Sequence, residues 1–569
     1  MFKTGSLRLL TLALTLLLFA HQAEAQLVRG FVSGTVTDPT NAVVPGVQVT
    51  ITNTATNISR ETMTNNLGFY RFVAVEPGDY SVEFRLTGFE AHRVPNITVR
   101  TAKEVVINQT LKVSAATTEI SVVDTPGVEL EKTIPTVERT FSEQIVAELP
   151  FQIYNGARDI TRLALLAPTV NRAPGSNEFA ANGQRARNNN FTIDGVDNND
   201  LSVTQSLTRV IPEAVQQVQV QTTAYAAEFG RTSGAQVSAV TKSGTNTLHG
   251  EGWEYYRGNW MEPLSLTNKR AGLSETPRFV VNQFGGDIGG PIIKDRTFFF
   301  GLLELNRRRE APSAANATSV NIPTPAGYAA LSTVPLGSGQ TAASRQAALT
   351  ALGFLPEIHA QVTNYDNLRT TLINGTPIQV GTVIIPLPGP FNFWNNVFRV
   401  DHRLGTADNL TYRYHLDHRD QPNVTSNLGF GTRFAAAQKV FRQNHAISYT
   451  HPFSSRFLNE ARVGYVRSLL DVQENDPRSS TVNIGGAFTI GGGSGFPQGR
   501  VEQLYEYQDV ATYISGRNSF KLGMDLRRNK LFGLFGTNSK GTWTLEPWRI
   551  FSTAPRPLLL KRLTLPHSM

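Results

Sequence analysis

The sequence predicts a mainly β protein, and three observations carry that prediction. Segments of strand length with alternating apolar and polar residues recur from the first hundred residues to beyond residue 520. Gly, Pro, Asn and Asp punctuate them as turns do. After the first 25 residues no run of 18 apolar residues occurs, so helical membrane spans are excluded.

Length and composition bound the remaining options. At ~150 residues per domain, 569 residues imply three or four units. Charged residues make up 17%, below the ~25% of soluble globular proteins. The net charge of +8 is small for this length, so nucleic-acid binding would need a local basic patch. There is no cysteine, which excludes disulfide scaffolds, zinc ribbons, Fe–S clusters and cysteine nucleophiles.

Residues 1–25 read as an export signal. Lys3 and Arg8 supply a positive start, Leu9 to Ala20 is apolar, and Ala23-Glu24-Ala25 gives the small-x-small cleavage pattern ahead of Gln26. An apolar stretch this short cannot span ~30 Å of hydrocarbon. An exported chain without helical spans is either soluble or a β-barrel.

Residues 26–112 read as a small sandwich. Phe31 to Val36 is a strand followed by a turn at Asp38-Pro39-Thr40-Asn41; Val47 to Ile51 alternates, and Pro77-Gly78-Asp79 closes a hairpin into Tyr80 to Phe84. The series Gly34-Thr35-Val36-Thr37-Asp38, Val44-Pro45-Gly46-Val47, Asn66-Leu67-Gly68-Phe69-Tyr70 and Pro77-Gly78-Asp79-Tyr80 resembles the carboxypeptidase regulatory-like domain. That resemblance implies a transthyretin-like β-sandwich serving as an accessory module. Peptidase chemistry is not expected, because the segment has His92 as its one histidine and the chain has no H-E-x-x-H. Related sandwiches bind sugars, so carbohydrate contact is a minor alternative.

Residues 113–130 form a linker. Within it Thr118, Glu119, Ile120, Ser121, Val122 and Val123 are an extended segment. It is either the last strand of the sandwich, a tether, or a peptide that adds a strand to a periplasmic partner.

Residues 131–245 change character, with short helices expected at Ser142 to Leu149 and Ala157 to Leu166. The ordered set Ile193-Asp194-Gly195-Val196, Ile211 to Val220, Ala227 to Arg231 and Thr241-Lys242-Ser243-Gly244 resembles the plug domain of TonB-dependent outer-membrane transporters. Each tetrapeptide alone is weak; their order and spacing carry the match.

Residues 246–569 supply strand-length alternation. Leu410, Tyr412, Tyr414 and Leu416 oppose Thr411, Arg413, His415 and Asp417; Phe520 to Arg527, Val397 to Leu404 and Ala461 to Tyr465 separate in the same way. A soluble sheet alternates too, but repetition behind an export signal favours a transmembrane antiparallel barrel, apolar to lipid and polar inside. Aromatics such as Trp253, Trp260, Trp394, Tyr412 and Tyr414 would then form interfacial girdles; in a soluble protein they would be core. The stretch from about Arg309 to Asn392, rich in Ala, Pro, Thr and Gly, reads as a large extracellular loop, poor as core. Gln283 to Gly301, Arg399-Val400-Asp401-His402-Arg403 and Phe457 to Arg462 resemble the Oar-like subgroup of TonB-dependent proteins, whose members carry such an N-terminal sandwich. The expected fold is therefore an N-terminal transthyretin-like sandwich, an α+β plug and a partial barrel.

Other chemistry finds little support. Gly285 to Gly290 lacks the Lys-Ser/Thr of a phosphate loop and reads as a closely approached strand. Arg307-Arg308-Arg309 sits beside Glu310 at a strand end, a solvated rim with lipopolysaccharide contact as the alternative. Asp194, Asp197 and Asp200 with Asn198 and Asn199 could ligate calcium, but no bidentate glutamate completes the set, which favours a polar plug loop. No Gly-x-Ser-x-Gly elbow occurs, so no catalytic residue, cofactor or metal is assigned and no enzymatic activity is expected.

The Oar-like resemblance implies a substrate bound at extracellular loops and plug, then passed across the outer membrane with energy delivered by TonB. The expected partners are outer-membrane lipid, a TonB-type protein that pairs with Thr118 to Val123, and a transported ligand the sequence does not identify; nucleic acid is not among them. Sandwich and plug would lie on the periplasmic side. About nine or ten strands are legible after Asn246, against ~22 in plugged transporters. The chain ends Pro566-His567-Ser568-Met569 without an aromatic strand, so a C-terminally truncated or frameshifted product is expected. The alternative is a secreted or surface β-rich adhesin that binds carbohydrate.

Overall fold

The computed structural model describes residues 29–552 apart from 102, 114–121, 124–136, 150–152, 155–156, 175–177, 204, 226–228, 231, 265, 267–268, 270–273, 311–312, 338–340, 361, 363, 388, 406, 426–434, 477–480, 485–487, 492–495, 536–541 and 547–548. The cleavage residues Ala23, Ala25 and Gln26, the segment Thr118 to Ser121 and the chain's last residues lie outside the described set.

Nine short strands build the N-terminal unit: β1 (Gly30–Thr37), β2 (Gln48–Asn53), β3 (Ser59–Met63), β4 (Phe69–Val75), β5 (Gly78–Arg85), β6 (His92–Val99), β7 (Glu104–Val106), β8 (Gln109–Thr110) and β9 (Val122–Val123). One sheet has β1 at its centre, antiparallel to β4 and parallel to β7 and β8; the other runs β3-β2-β5-β6-β9. Period-two alternation aims Val49, Ile51, Tyr80, Val82 and Phe84 inward against Val32, Val36, Tyr70 and Phe72. The buried Tyr70 hydroxyl donates to Ile107 O at 2.9 Å, so this aromatic enters the core without stranding its polar end.

An inner unit follows: β10 (Val137–Ser142), the helix Glu143–Glu148, β11 (Ile153–Tyr154), β12 (Ala157–Arg158), the 3₁₀ helix Ile160–Leu166, β13 (Val170–Arg172), β14 (Phe179–Ala181), β15 (Asn190–Ile193), β16 (Val196–Asp197), β17 (Val215–Thr223) and β18 (Gln236–Thr241). Its main sheet runs β10-β17-β18-β15-β16. The helix expected from Ala157 starts instead at Ile160. Asp159 is extended and its carboxylate accepts from Thr161 N at 2.9 Å, so the chain enters the helix there while Ala157 and Arg158 pair as strand.

Nine long strands form one antiparallel sheet in the order β19 (His249–Gly258), β20 (Phe279–Ile293), β21 (Thr297–Glu310), β25 (Phe391–Leu404), β26 (Asp408–Thr425), β27 (Ala436–Pro452), β28 (Phe457–Glu474), β31 (Gln498–Ser515) and β32 (Asn518–Phe535). The sheet is open: β19 and β32 are its edges and do not pair with each other. The turns 294–296, 405–407, 453–456 and 516–517 lie at one end; the long connections 259–278, 311–390 and 475–497 lie at the other.

Two of those connections are not bare loops. β22 (Ser313–Pro323), β23 (Asp366–Ile373) and β24 (Thr376–Leu387) form a sheet with the helices Pro325–Leu331, Ala342–Ala351 and Leu355–His359; β29 (Thr481–Ile484) and β30 (Phe488–Gly491) join β33 (Thr542–Glu546) and β34 (Arg549–Ser552) in another. Val320, Ile322, Leu355, Ile378 and Val380 are buried together with Ile484, Phe488 and Ile490. This corrects the expectation of a loop too poor for a core: residues a hundred positions downstream complete the core.

The large sheet is inside-out by the standard of a soluble protein. On its central strands Arg413 and Asp417 are 0% exposed while Ile447 and Val463 are 45% and 44% exposed. Register aligns the outward residues into rows across strands. One row is Val400, Tyr412, Ile447, Val463, Tyr507 and Leu526; the next is Phe398, Tyr414, His445, Tyr465 and Tyr505. An apolar, aromatic outer face over a polar inner face suits hydrocarbon outside.

Candidate functional site

The inner face of the large sheet is occupied by the inner unit, and the Ile193-Asp194-Gly195-Val196 motif lies at their contact. Asp194 (φ 49) and Gly195 (φ 79) both take left-handed backbone, making the tight hairpin that joins β15 to β16. This geometry explains the Asp-Gly pair: the first residue tolerates positive φ and the second needs no Cβ.

The turn projects Asp194 between two strands' arginines. Its carboxylate accepts from Thr241 N and Oγ1, each at 2.9 Å, and faces Arg413 Nε at 3.0 Å and Arg399 Nη1 at 3.8 Å. Arg399 also pairs with Asp401 and donates to Thr241 O at 2.9 Å; Arg413 Nη2 donates to Ile193 O at 3.2 Å. Downstream, Asp197 N donates to Glu506 at 2.9 Å and its carboxylate meets Arg527 Nη1 at 2.6 Å. Gln508 Nε2 donates to Gly195 O at 3.2 Å. Val196 sits against Gly464, where a Cβ would come within 2.6 Å of its side chain; that wall position is glycine because the turn approaches there.

Three aspartates thus have different uses from the calcium alternative. Asp194 and Asp197 engage wall arginines, and Asp200 lies 3.6 Å from Arg500. Among the described residues no group of three or more His, Cys, Asp or Glu side chains is placed to hold a metal.

Contacts extend to the sheet's other edge. Arg158 binds Glu213 at 2.6 Å and Glu304 of β21 at 2.9 Å, and lies 4.1 Å from the Tyr255 ring centre. Trp253 Nε1 and Gln283 Nε2 donate to the same Glu304, at 3.2 and 2.8 Å. Strands from both edges therefore grip one unit. Such buried pairs hold position more than they add stability, and removing one partner strands the other charge.

The N-terminal sandwich sits over the short-turn end. Arg29 lies between Glu76 (3.3 Å) and Glu460 of β28 (3.7 Å). Burial opposes its charge, yet Glu460 and Glu76 outweigh that and raise its pKa. Phe31, Val73 and Ala74 pack with Leu458 and Ile514 of the large sheet. Arg403 donates to Ser59 O at 3.0 Å, Asn246 N to Ala55 O at 2.9 Å and Gln216 to Pro77 O at 3.0 Å. A cavity of about 540 Å³ remains where the three units meet, lined by Tyr80, Glu143, Lys242, Arg296 and Asp401 among others. Lys242, which the closing motif supplied, bridges Glu143 at 2.8 Å and Asp287 of β20 at 3.7 Å.

Of the extended segment Thr118 to Val123, the described part Val122–Val123 pairs in parallel with His92 and Arg93 at the free edge of the five-stranded sheet. Sequence reasoning put Arg399, Arg413, Arg462 and Arg527 on polar strand faces without their partners. Arg29 was not singled out, since nothing nearby in sequence marks it as a docking residue.

Family models, a curated relative and solved structures match parts of the chain. The family described as Outer membrane beta barrel domain matches residues 240–555, more than half of the chain, and Carboxypeptidase regulatory-like domain matches 32–112. The TonB-dependent transporter Oar of Myxococcus xanthus is 25% identical over 559 residues, covering 90% of this chain; the chain spans 50% of that relative's length. Among solved structures, the outer membrane transporter YddB of Escherichia coli is similar at 12% identity and TM-score 0.44, over 70% of this chain and 48% of that one. The ferric enterobactin receptor PfeA of Pseudomonas aeruginosa is similar at 12% identity and TM-score 0.41, over 70% and 50%. The chain belongs to the outer membrane beta barrel domain family and is an outer-membrane protein of Oar-like build, with a carboxypeptidase regulatory-like domain ahead of the barrel.

Proposed function

We propose that this chain forms the N-terminal half of a TonB-dependent transporter. The inner unit is its plug, and sandwich and plug face the periplasm. The carrying observation is the plug's seat: a separate β unit lies against the inner face of a membrane sheet and is held there by ion pairs to β21, β26 and the edge strand β32. The seat is mixed: beside these pairs, Phe300, Leu302, Phe391, Phe393 and Val397 of the sheet share a core with the inner unit, and Val196 and Leu207 pack on Ala446, Val466 and Leu504. The long connections, folded on one core, face outward and meet the ligand first, while the short turns face the periplasm as in outer-membrane barrels generally. The role is binding and passage, with no chemical step assigned to the chain's residues.

Thr118 to Val123 is the proposed TonB-pairing segment, which would gain affinity from backbone hydrogen bonds to an added strand. Its described residues Val122 and Val123 pair with His92 and Arg93 at the edge of the sandwich sheet, the position a competing strand would take. The test is binding of purified TonB C-terminal domain to the membrane-embedded chain with and without residues 118–123. The expected result is a loss of at least tenfold in affinity on deletion. Unchanged binding removes this segment, and no binding by the intact chain removes the TonB reading.

A further inference from the structure

The outer face of the sheet carries a polar row without carboxylates between an aromatic row and an apolar one. In register across β26 to β32 stand Leu416, Gln443, Arg467, Gln503 and Lys530. On the short-turn side of it lies the row of Tyr414, His445, Tyr465 and Tyr505, whose β32 partner is Arg528. On the long-connection side lie Phe441, Leu469, Val501 and Phe532. None of these three rows contains a carboxylate. The nearest outward carboxylates, Asp420 and Asp471, stand one row further on with Lys439 between them.

Cations facing hydrocarbon are disfavoured unless neutralised, and an ionisable group there marks a site. Arg467 Nε is shielded from solvent and makes no hydrogen bond. Lys530 Nζ lies 5.7 Å from the Tyr505 ring centre, above the aromatic row. Gln443 and Gln503 donate to the Tyr414 and Tyr465 hydroxyls at 3.3 and 3.4 Å, which orients each amide along the row. Strand spacing puts Arg467 and Lys530 ~10 Å apart, and Arg528 ~7 Å from Lys530. Guanidinium and ammonium groups at these separations suit phosphate oxygens.

We propose that Arg467, Arg528 and Lys530, with Gln443 and Gln503, bind the phosphates of an anionic glycolipid in the outer leaflet. The inference rests on the outer-membrane placement. The row lies toward the long-connection end, which faces outward, and its charge complements a phosphorylated headgroup. The long stems of these residues can carry their charges from the apolar rows to the headgroup level.

The test uses the full chain in phosphatidylethanolamine vesicles doped with bisphosphorylated lipid A, followed by native mass spectrometry of the extracted protein. The expected result is retention of bisphosphorylated lipid A by the parent chain. The triple variant R467Q/R528Q/K530Q should retain at least tenfold less. Dephosphorylated lipid A and free inorganic phosphate should not be retained by either. Equal retention by the triple variant, or retention that ignores phosphorylation, overturns the proposal, as does a stoichiometric protein on this face that the triple variant loses. Heat-modifiable migration separates the failures: a parent chain that never inserts removes the membrane reading as well, whereas insertion with unaltered lipid retention removes the lipid site alone.

Discussion

Asp194→Ala is expected to loosen the plug by about 3–5 kcal/mol, the usual consequence of removing one partner from a buried ion pair. The carboxylate satisfies Thr241 at two atoms and faces Arg413, which is wholly buried, and Arg399. Its loss leaves both arginines with less compensation in a water-poor interface. Arg413 retains its bonds to Asn444, so the wall itself should stay intact. The measurement is the urea midpoint of plug unfolding, followed by hydrogen exchange at residues 190–197 and 236–241. A second variant separates the ion pair from general damage: adding Arg413→Met to Asp194→Ala should recover most of the loss, because no unpaired charge then remains. A loss below 1 kcal/mol for Asp194→Ala would show that the turn is not a latch.

The second large effect is expected at the sandwich. Leu458→Asp places a carboxylate among Phe31, Val73, Ala74 and Ile514 and should weaken the docking of the sandwich by about 2–5 kcal/mol, the range for losing a buried leucine. Hydrogen exchange in residues 30–37 and 69–75 should accelerate while the core of the large sheet keeps its protection. Met63→Asp, at an exposed sandwich position, should change neither. Acceleration that spreads through β26 to β28 would mean the substitution has damaged the sheet rather than released the sandwich.

These two contacts also show where sequence reading stops. Asp194-Gly195 stands out in the sequence only as part of the plug-like motif; the structure makes it the hairpin turn in which two successive positive φ values favour that residue pair. Strand faces are legible directly: a period of two in Leu410 to Asp417 separates outside from inside without any partner being known. What the alternation does not specify is which polar residue an inward arginine meets. Arg413 and Asp194 are 219 positions apart by number, and Arg527 and Asp197 are 330 apart. Such pairs depend on the register of the whole sheet around the plug. The folded connection between β21 and β25 escaped for the same reason. Its helices have ordinary starts, Thr324 before Pro325 and a Thr341/Ser344 capping box, but its core closes only when Ile484, Phe488 and Ile490 arrive. The 3₁₀ helix starts three residues after Ala157 because Asp159 caps it and Ala157–Arg158 pair as strand, a choice that local helix propensity does not show.

On this reading the nine-stranded sheet faces lipid with one side and holds the plug with the other. The absence of cysteine from the sequence makes one measurement direct. Single cysteines carrying nitroxide labels, placed on β28 at 461, 462, 463, 465 and 466 in the membrane-embedded chain, report oxygen and water-soluble relaxant access residue by residue; Gly464 is left unlabelled because Val196 fills the space a Cβ would need. A period of two is expected: high oxygen access at 461, 463 and 465, and low access to both reagents at 462 and 466, which face the plug. Ready access of the water-soluble relaxant at 463 and 465, or no alternation at all, would contradict it.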